Sequence, residues 1–290
     1  MITVEGLEKR YGDVHAVRGV DFAVDRGEVF GLVGPNGAGK TSTLKMLAGL
    51  VEPTAGSATV NGYDSQDPEM RRTLGFLPEE SPLYEEMTPR SYLRFFADLY
   101  DVSRDDANDR IERTLDRLDL DARDRPVGDF SKGMKRKVAI ARSLVNAPDV
   151  LIYDEPASGL DPLTTNTVVE FTRELAEQGK TVLFSAHDLY HVESVCDRVA
   201  IVSDGEIAAQ GTLEAIREDY GRIEYRVFTS VPVLDATPRG DRYEVTVDGM
   251  DGVERVRDAA ADAGGEIVDV RTRESTLEDV FLDVTGRGEA

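Results

Sequence analysis

The sequence has a single cysteine, Cys196, in 290 residues. No internal disulfide can form, and the chain fits a reducing compartment such as the cytosol. The thiol reads as a small buried apolar group. Long apolar runs are missing as well: none approaches the ~18 residues expected of a membrane-spanning helix. The N-terminus, MITVEGLEKRYGD, lacks the basic-then-apolar order of a secretion signal. Basic residues are outnumbered, with 34 Lys and Arg against 56 Asp and Glu, which gives a formal net charge of -22. A pI near 4.5 argues against nucleic acid as the main ligand. The acidity is spread along the chain and forms no tail. With lysine scarce and aspartate abundant, the composition resembles proteins of a high-salt cytosol, where screening relieves self-repulsion. An ordinary acidic soluble protein is the other reading. Internal repeats, low-complexity tracts and heptad runs are absent.

What is present suits one large domain, or one plus a small appendage: 40 % of residues are hydrophobic and 31 % charged. Residues 2–33 read as short strands and turns that end in the apolar run VFGLVG. KTSTLKMLAGL follows with Leu44, Leu47, Ala48 and Leu50 at helical spacing. GSATVNGYDS reads as a strand and turn. TPRSYLRFFADLYDV opens a helix with Thr88 as N-cap and Pro89 at the first helical position. DDANDRIERTLDRLDL continues with Ile111, Leu115 and Leu118 on one face, so a helical insert covers about 86–145. DVLIYDEP and TVLFSAHD are apolar runs suited to central strands. RVAIVSDGEIAAQG reads as a hairpin turning at Asp204-Gly205. From about 220, two alternating strands, a helix, a strand and a last helix form a small α+β unit. Ser275 and Glu278 suit a capping box at the start of that last helix.

GPNGAGKT (34–41) matches G-x-x-x-x-G-K-[ST] between a strand and a helix. Its glycines let backbone N–H groups converge on one point, and the helix adds its positive end there. Gly34, Pro35, Asn36, Gly37, Ala38, Gly39, Lys40, Thr41 and Ser42 are thus expected to hold a triphosphate. Lys40 reaches the β- and γ-phosphates and Thr41 holds Mg²⁺. VLIYDEP delivers Asp154 and Glu155 to a strand end. The first carboxylate is suited to organise the metal through water, the second to orient and polarise the attacking water. SGLD (158–161) adds Asp161 to the candidate catalytic residues, and His187 in FSAHD suits a hydrogen bond to the γ-phosphate. A satisfied core histidine is the bland alternative.

FSKGMKRKVAIARSL (130–144) concentrates Lys132, Lys135, Arg136, Lys137 and Arg142 around Gly133 in this acidic chain. At these residues the chain resembles the ATP-binding subunits of ABC transporters. The resemblance covers about 1–215, in the order YGD, GPNGAGKTS, GFLPEE, FSKGM, VLIYDEP, SGLD and SAHD. It implies an α/β fold: a phosphate-loop NTPase core, an antiparallel β lobe, the helical insert and a small C-terminal α+β domain (220–290). In that family a signature of LSGGQ type caps the γ-phosphate bound to the other subunit of a dimer. Ser131 and Gly133 are the matching residues, while Lys135, Arg136 and Lys137 either face that anion or are solvated. Tyr11 is expected to stack on adenine. Lys132 and Met134 depart from the commonest signature, and Glu79 in PEE stands where most relatives have a metal-touching glutamine. These departures and the tail STLEDVFLDVTG resemble the drug-exporter branch.

The resemblance therefore implies an ATP-hydrolysing motor subunit of an exporter, with ATP and Mg²⁺. Two copies would close head-to-tail, bound to a separate integral membrane permease at the cytoplasmic face of the membrane. The metal would rest on Thr41, Asp154 and Glu79. An importer motor and a soluble, non-transport ATPase of the same family are the rival readings. Glu79 and the tail weigh against the first. The single phosphate loop and the acidity weigh against the second.

Overall fold

The computed structural model describes residues 1–221 and 223–286. In chain order the first unit, Met1–Thr212, runs β1 (Ile2–Tyr11), β2 (Val14–Val24), β3 (Val29–Val33), α1 (Lys40–Leu47), β4 (Ala55–Val60), β5 (Tyr63–Asp64), α2 (Pro68–Arg72), β6 (Leu74–Leu77), α3 (Pro89–Leu99), α4 (Arg104–Arg117), α5 (Lys132–Ser143), β7 (Val150–Tyr153), α6 (Pro162–Glu177), β8 (Thr181–Ala186), α7 (Leu189–Val195), β9 (Arg198–Ser203) and β10 (Glu206–Thr212). The second unit, Leu213–Ala290, holds α8 (Leu213–Tyr220), β11 (Ile223–Thr229), β12 (Thr237–Arg239), β13 (Arg242–Asp248), α9 (Gly249–Asp262), β14 (Ile267–Glu274) and α10 (Leu277–Val284). Residues 222 and 287–290, which the sequence reading included in the C-terminal domain, lie outside the described residues.

The central sheet has the order β10-β9-β3-β8-β7-β6. Every pairing is parallel except the β9–β10 hairpin at its edge. β3, β7 and β8 are buried at every residue, as strands covered on both faces must be. The hairpin turns at Asp204 (φ 49°) and Gly205 (φ 85°), the left-handed pair that a two-residue type I′ turn requires. A second, antiparallel sheet, β2-β1-β4-β5, packs Val4, Leu7, Val20 and Phe22 into the same core as Phe30, Leu32, Leu44 and Leu47.

β1 and β2 correct the expectation of short strands: they are 10 and 11 residues long. Gly6 sits at φ 53° inside β1, where the register with β2 shifts between Val4 and Leu7. This is a bulge, which bends a strand without ending it.

In the helical stretch, α3 is capped by Thr88, and the Ser91 hydroxyl accepts the Thr88 N–H in return. In the second unit the antiparallel order is β12-β13-β11-β14. Its core joins Val227 and Val245 of the sheet to Val253, Val256 and Ala260 of α9. The cap of α10 is Thr276 with Asp279, not Ser275 with Glu278. The run STLED carries both registers at the same spacing. Cys196 is only half-buried as a residue, but its thiol lies against Gly31, where a Cβ would come within 2.8 Å of Sγ. Burial pushes that thiol well up, and Asp197 and Glu28 add to the shift.

Candidate active site

The parallel strands β3, β7 and β8 lie side by side, so the segments after them open at one carboxyl edge of the sheet. That edge is where open α/β sheets place ligands. After β3 the chain turns through residues 34–39 and enters α1. Gly39 caps α1 at φ 103°, and no side chain satisfies the first N–H groups of the helix. A Cβ on Gly39 would meet the Ala16 carbonyl oxygen at 2.4 Å. Glycine is therefore required there by conformation and by space. The unsatisfied N–H groups and the helix dipole make this an anion seat.

One pocket is lined by Tyr11, Ala16, Pro35, Asn36, Gly37, Ala38, Gly39, Lys40, Thr41, Ser42, Glu79, Glu155, Ser158 and His187. Most of the sequence-derived candidates converge here. Lys40 is buried, and its Nζ donates to the carbonyls of Gly34 (2.6 Å) and Pro35 (3.3 Å). The same Nζ lies 3.5 Å from Glu155 Oε1. Glu155 Oε2 is 2.7 Å from His187 Nδ1. Glu155 is buried at φ 49°, a left-handed backbone that glutamate rarely adopts and that clusters at functional sites. His187 is thus no core histidine: half its side chain is exposed, and it holds the carboxylate at the pocket mouth. Tyr11 is 46 % exposed, with Lys9 Nζ 5.1 Å from its ring centroid.

Behind the pocket, Thr41 Oγ1 donates to Asp154 Oδ1 at 3.2 Å. Ser185, which the sequence reading did not single out, donates from its hydroxyl to the same Oδ1 (2.7 Å) and accepts the Glu155 N–H (3.0 Å). Its signal was a hydroxyl in the otherwise apolar run VLFSA. Among the described residues, no cluster of three or more His, Cys, Asp or Glu is arranged around a metal. The hydroxyl of Thr41 beside the Asp154 carboxylate nevertheless fits a hard cation, which takes oxygen ligands and keeps waters and phosphate oxygens as the rest. Glu79 is exposed and lines the pocket, without a resolved bond from its carboxylate to Asp154 or Thr41.

Ser131, Gly133 and Asp161 stand apart from this pocket. Ser131 is exposed and caps α5, its hydroxyl accepting the Met134 N–H at 3.2 Å. Gly133 is buried, and a Cβ there would come within 2.9 Å of Thr164 Oγ1. That hydroxyl donates to Asp161 Oδ2 at 2.7 Å, and Asp161 caps α6 through the Thr164 N–H. The Thr164 hydrogen bonds hold the Asp161 carboxyl below its usual range. The bare glycine therefore lets α5 approach the cap of α6, a packing need that the signature pattern alone does not reveal.

Of the basic cluster, Lys135 pairs with Glu85 at 2.9 Å. Arg136 corrects the reading of a solvated or anion-facing side chain: it is buried, and its guanidinium bonds to the carbonyls of Pro78, Glu79, Asp154, Glu155 and Pro156. Burial lowers its pKa to about 10, against the pull of Asp154 and Glu79, and it stays charged at neutral pH.

The family model described as ABC transporter matches residues 17–158. The chain is 36 % identical over 302 residues to the daunorubicin resistance ATP-binding protein DrrA3 of Streptomyces coeruleorubidus, covering 98 % of this chain and 96 % of that one. It is 35 % identical over 297 residues to the Nod factor export ATP-binding protein I of Burkholderia pseudomallei (strain 1710b), covering 99 % and 97 %. Among solved structures, a dimeric ATP-binding cassette in a post-hydrolysis state, bound to ADP and Pi, superposes with a TM-score of 0.67 at 25 % identity over 73 % of this chain and 99 % of that one. A phosphate loop facing a strained, histidine-held carboxylate, on this fold and beside these relatives, leaves one assignment: the chain belongs to the ABC transporter family, as an ATP-binding subunit that hydrolyses ATP.

Proposed function

We propose that this subunit drives an exporter, working as a head-to-tail dimer on a separate membrane permease. The export and resistance proteins that match it over nearly their whole length support the direction. No helix among the described residues is long and apolar enough to cross a membrane, so in this reading a partner carries the transport path and holds the subunit at the cytoplasmic face.

In the proposed mechanism Tyr11 stacks on the base. The N–H groups of residues 36–42 hold the phosphates, and Lys40 exchanges its carbonyl partners for β- and γ-phosphate oxygens. Thr41 and Asp154, with Glu79 beside them, would hold Mg²⁺, which neutralises charge on the phosphates when bound. Glu155 accepts a hydrogen bond from the attacking water and polarises it. His187 keeps that carboxylate in place and, with Lys40, stabilises charge on the transferring group. Ser131 and Gly133 arrive from the second subunit with the N-terminus of α5, and Asp161 stands at the same face. Closure excludes other water.

The observation that carries this reading is Glu155, buried, left-handed and held between His187 at 2.7 Å and Lys40 at 3.5 Å. Glu155→Gln keeps the shape and removes the charge. Steady-state hydrolysis should fall by about 10²–10⁴-fold, the range for a general base, while ATP binding persists. Near-normal turnover in this variant would remove Glu155 from its role.

A further inference from the structure

Arg136 lies five residues after the cap of α5, and every hydrogen bond recorded for its side chain ends on a main-chain carbonyl. Nε donates to Pro156 (2.8 Å), Nη1 to Pro78 (2.8 Å) and Glu79 (3.0 Å), and Nη2 to Asp154 (3.0 Å) and Glu155 (2.5 Å). These carbonyls belong to two segments, one after β6 and one after β7. The first carries Glu79. The second carries Asp154 and Glu155, and the Glu155 peptide is the one at φ 49°. The guanidinium is 7 % exposed as a residue. A buried cation costs desolvation that an apolar side chain of like volume avoids, so a mere filler has no need of the charge. A planar fork with five N–H bonds can hold two strand ends at a fixed angle, which an ammonium cannot.

We propose that Arg136 is a positioning residue that fixes the strained Glu155 backbone to the helix capped by Ser131, and so links this chain's carboxylate to the nucleotide held by its dimer partner. The inference rests on the proposed head-to-tail dimer. When Ser131 engages the partner's nucleotide, any shift of α5 is carried through the fork to Glu155 and Glu79. When it does not, Glu155 stays in the setting bonded to Lys40 and His187. Arg136 is buried and does not line the phosphate-loop pocket. Its loss should therefore act on turnover and on coupling between the two sites, and leave binding alone.

The test compares wild type, Arg136→Lys, Arg136→Gln and Glu155→Gln by melting temperature, ATP affinity, kcat, KM and the Hill coefficient for ATP. For a folded Arg136→Lys protein the expected result is ATP affinity within about threefold of wild type and a kcat loss of about 10–100-fold, the effect of a carboxylate displaced by about 1 Å. The Hill coefficient should fall toward 1 from whatever wild-type value above 1 the two sites produce. A kcat within about twofold of wild type overturns the proposal. So does a parallel loss of affinity, kcat and melting temperature, which marks a purely structural bracket. If the lysine variant does not fold, Arg136→Gln repeats the test with two donors. Failure of both to fold also overturns it, because Arg136 would then serve the core. Persistent turnover in Glu155→Gln contradicts the catalytic reading itself, whatever the Arg136 variants do.

Discussion

Ser185 has no exposed surface, and its hydroxyl joins the Asp154 carboxylate to the Glu155 N–H. Ser185→Ala leaves both groups buried without that partner, so it should lower stability by about 1–3 kcal/mol and reduce turnover more than ATP affinity. Thermal melts and single-turnover hydrolysis check both parts. Glu79 faces the same pocket from the segment after β6. A carboxylate is a stronger ligand for a hard cation than an amide, but it repels the triphosphate when metal is absent. Glu79→Gln should therefore bind ATP better without metal and gain less on adding Mg²⁺; titrations with and without Mg²⁺ measure the difference. Identical metal dependence in both forms would leave Glu79 no part in the metal site. The phosphate loop, Asp154, Glu155 and His187 were legible because their chemistry is carried by residue type and spacing in short runs. Arg136 and Ser185 were not, because their roles depend on which carbonyls and strands the fold brings beside them. Arg136 reads in sequence as one more cation in a basic run.

The helices α3 and α4 are tied by charge as well as by packing. Arg90 on α3 donates to both Glu112 oxygens on α4 and also pairs with Asp124, while Arg123 bonds to Glu112 and Asp116. The Arg90 hydrogen bonds first, and those of Arg123 after them, hold Glu112 down at about 2 from an ordinary 4.5. A depressed carboxyl stabilises the fold above its unfolded pKa, and that contribution is lost as pH falls through the folded value. Glu112→Gln should thus melt below wild type at pH 7, with the gap closing as pH falls from about 4.5 toward 2. A gap that does not change with pH would assign the loss to packing. These helices were readable from Thr88, Pro89 and the 3.6-residue spacing of Ile111, Leu115 and Leu118. Their charge network was not, since Arg90, Glu112 and Arg123 are distant in sequence. Elements whose ends depend on backbone accommodation were read less well. β1 and β2 were read as short because sequence cannot distinguish a turn from a bulge, and the STLED run offers two caps of equal chemistry.

For the whole molecule, a net charge of -22 on 290 residues sets a self-repulsion that salt screens. Raising KCl from about 0.1 M to about 1 M shortens the Debye length from about 10 Å to about 3 Å. Melting temperature should rise over that range, and a fall would show that the arginine–carboxylate pairs outweigh the repulsion. The same charge bears on assembly, because two such subunits repel until nucleotide bridges them, so closure should depend on ATP and on salt together. Light scattering on the Glu155→Gln protein tests the composite site most directly. In moderate salt with Mg²⁺, adding ATP should double the mass from the 31.9 kDa of a single chain. The further change Ser131→Arg should abolish the doubling and leave ATP bound. A protein that binds ATP yet stays at the single-chain mass, or one that dimerises equally well with Ser131→Arg, would contradict the account.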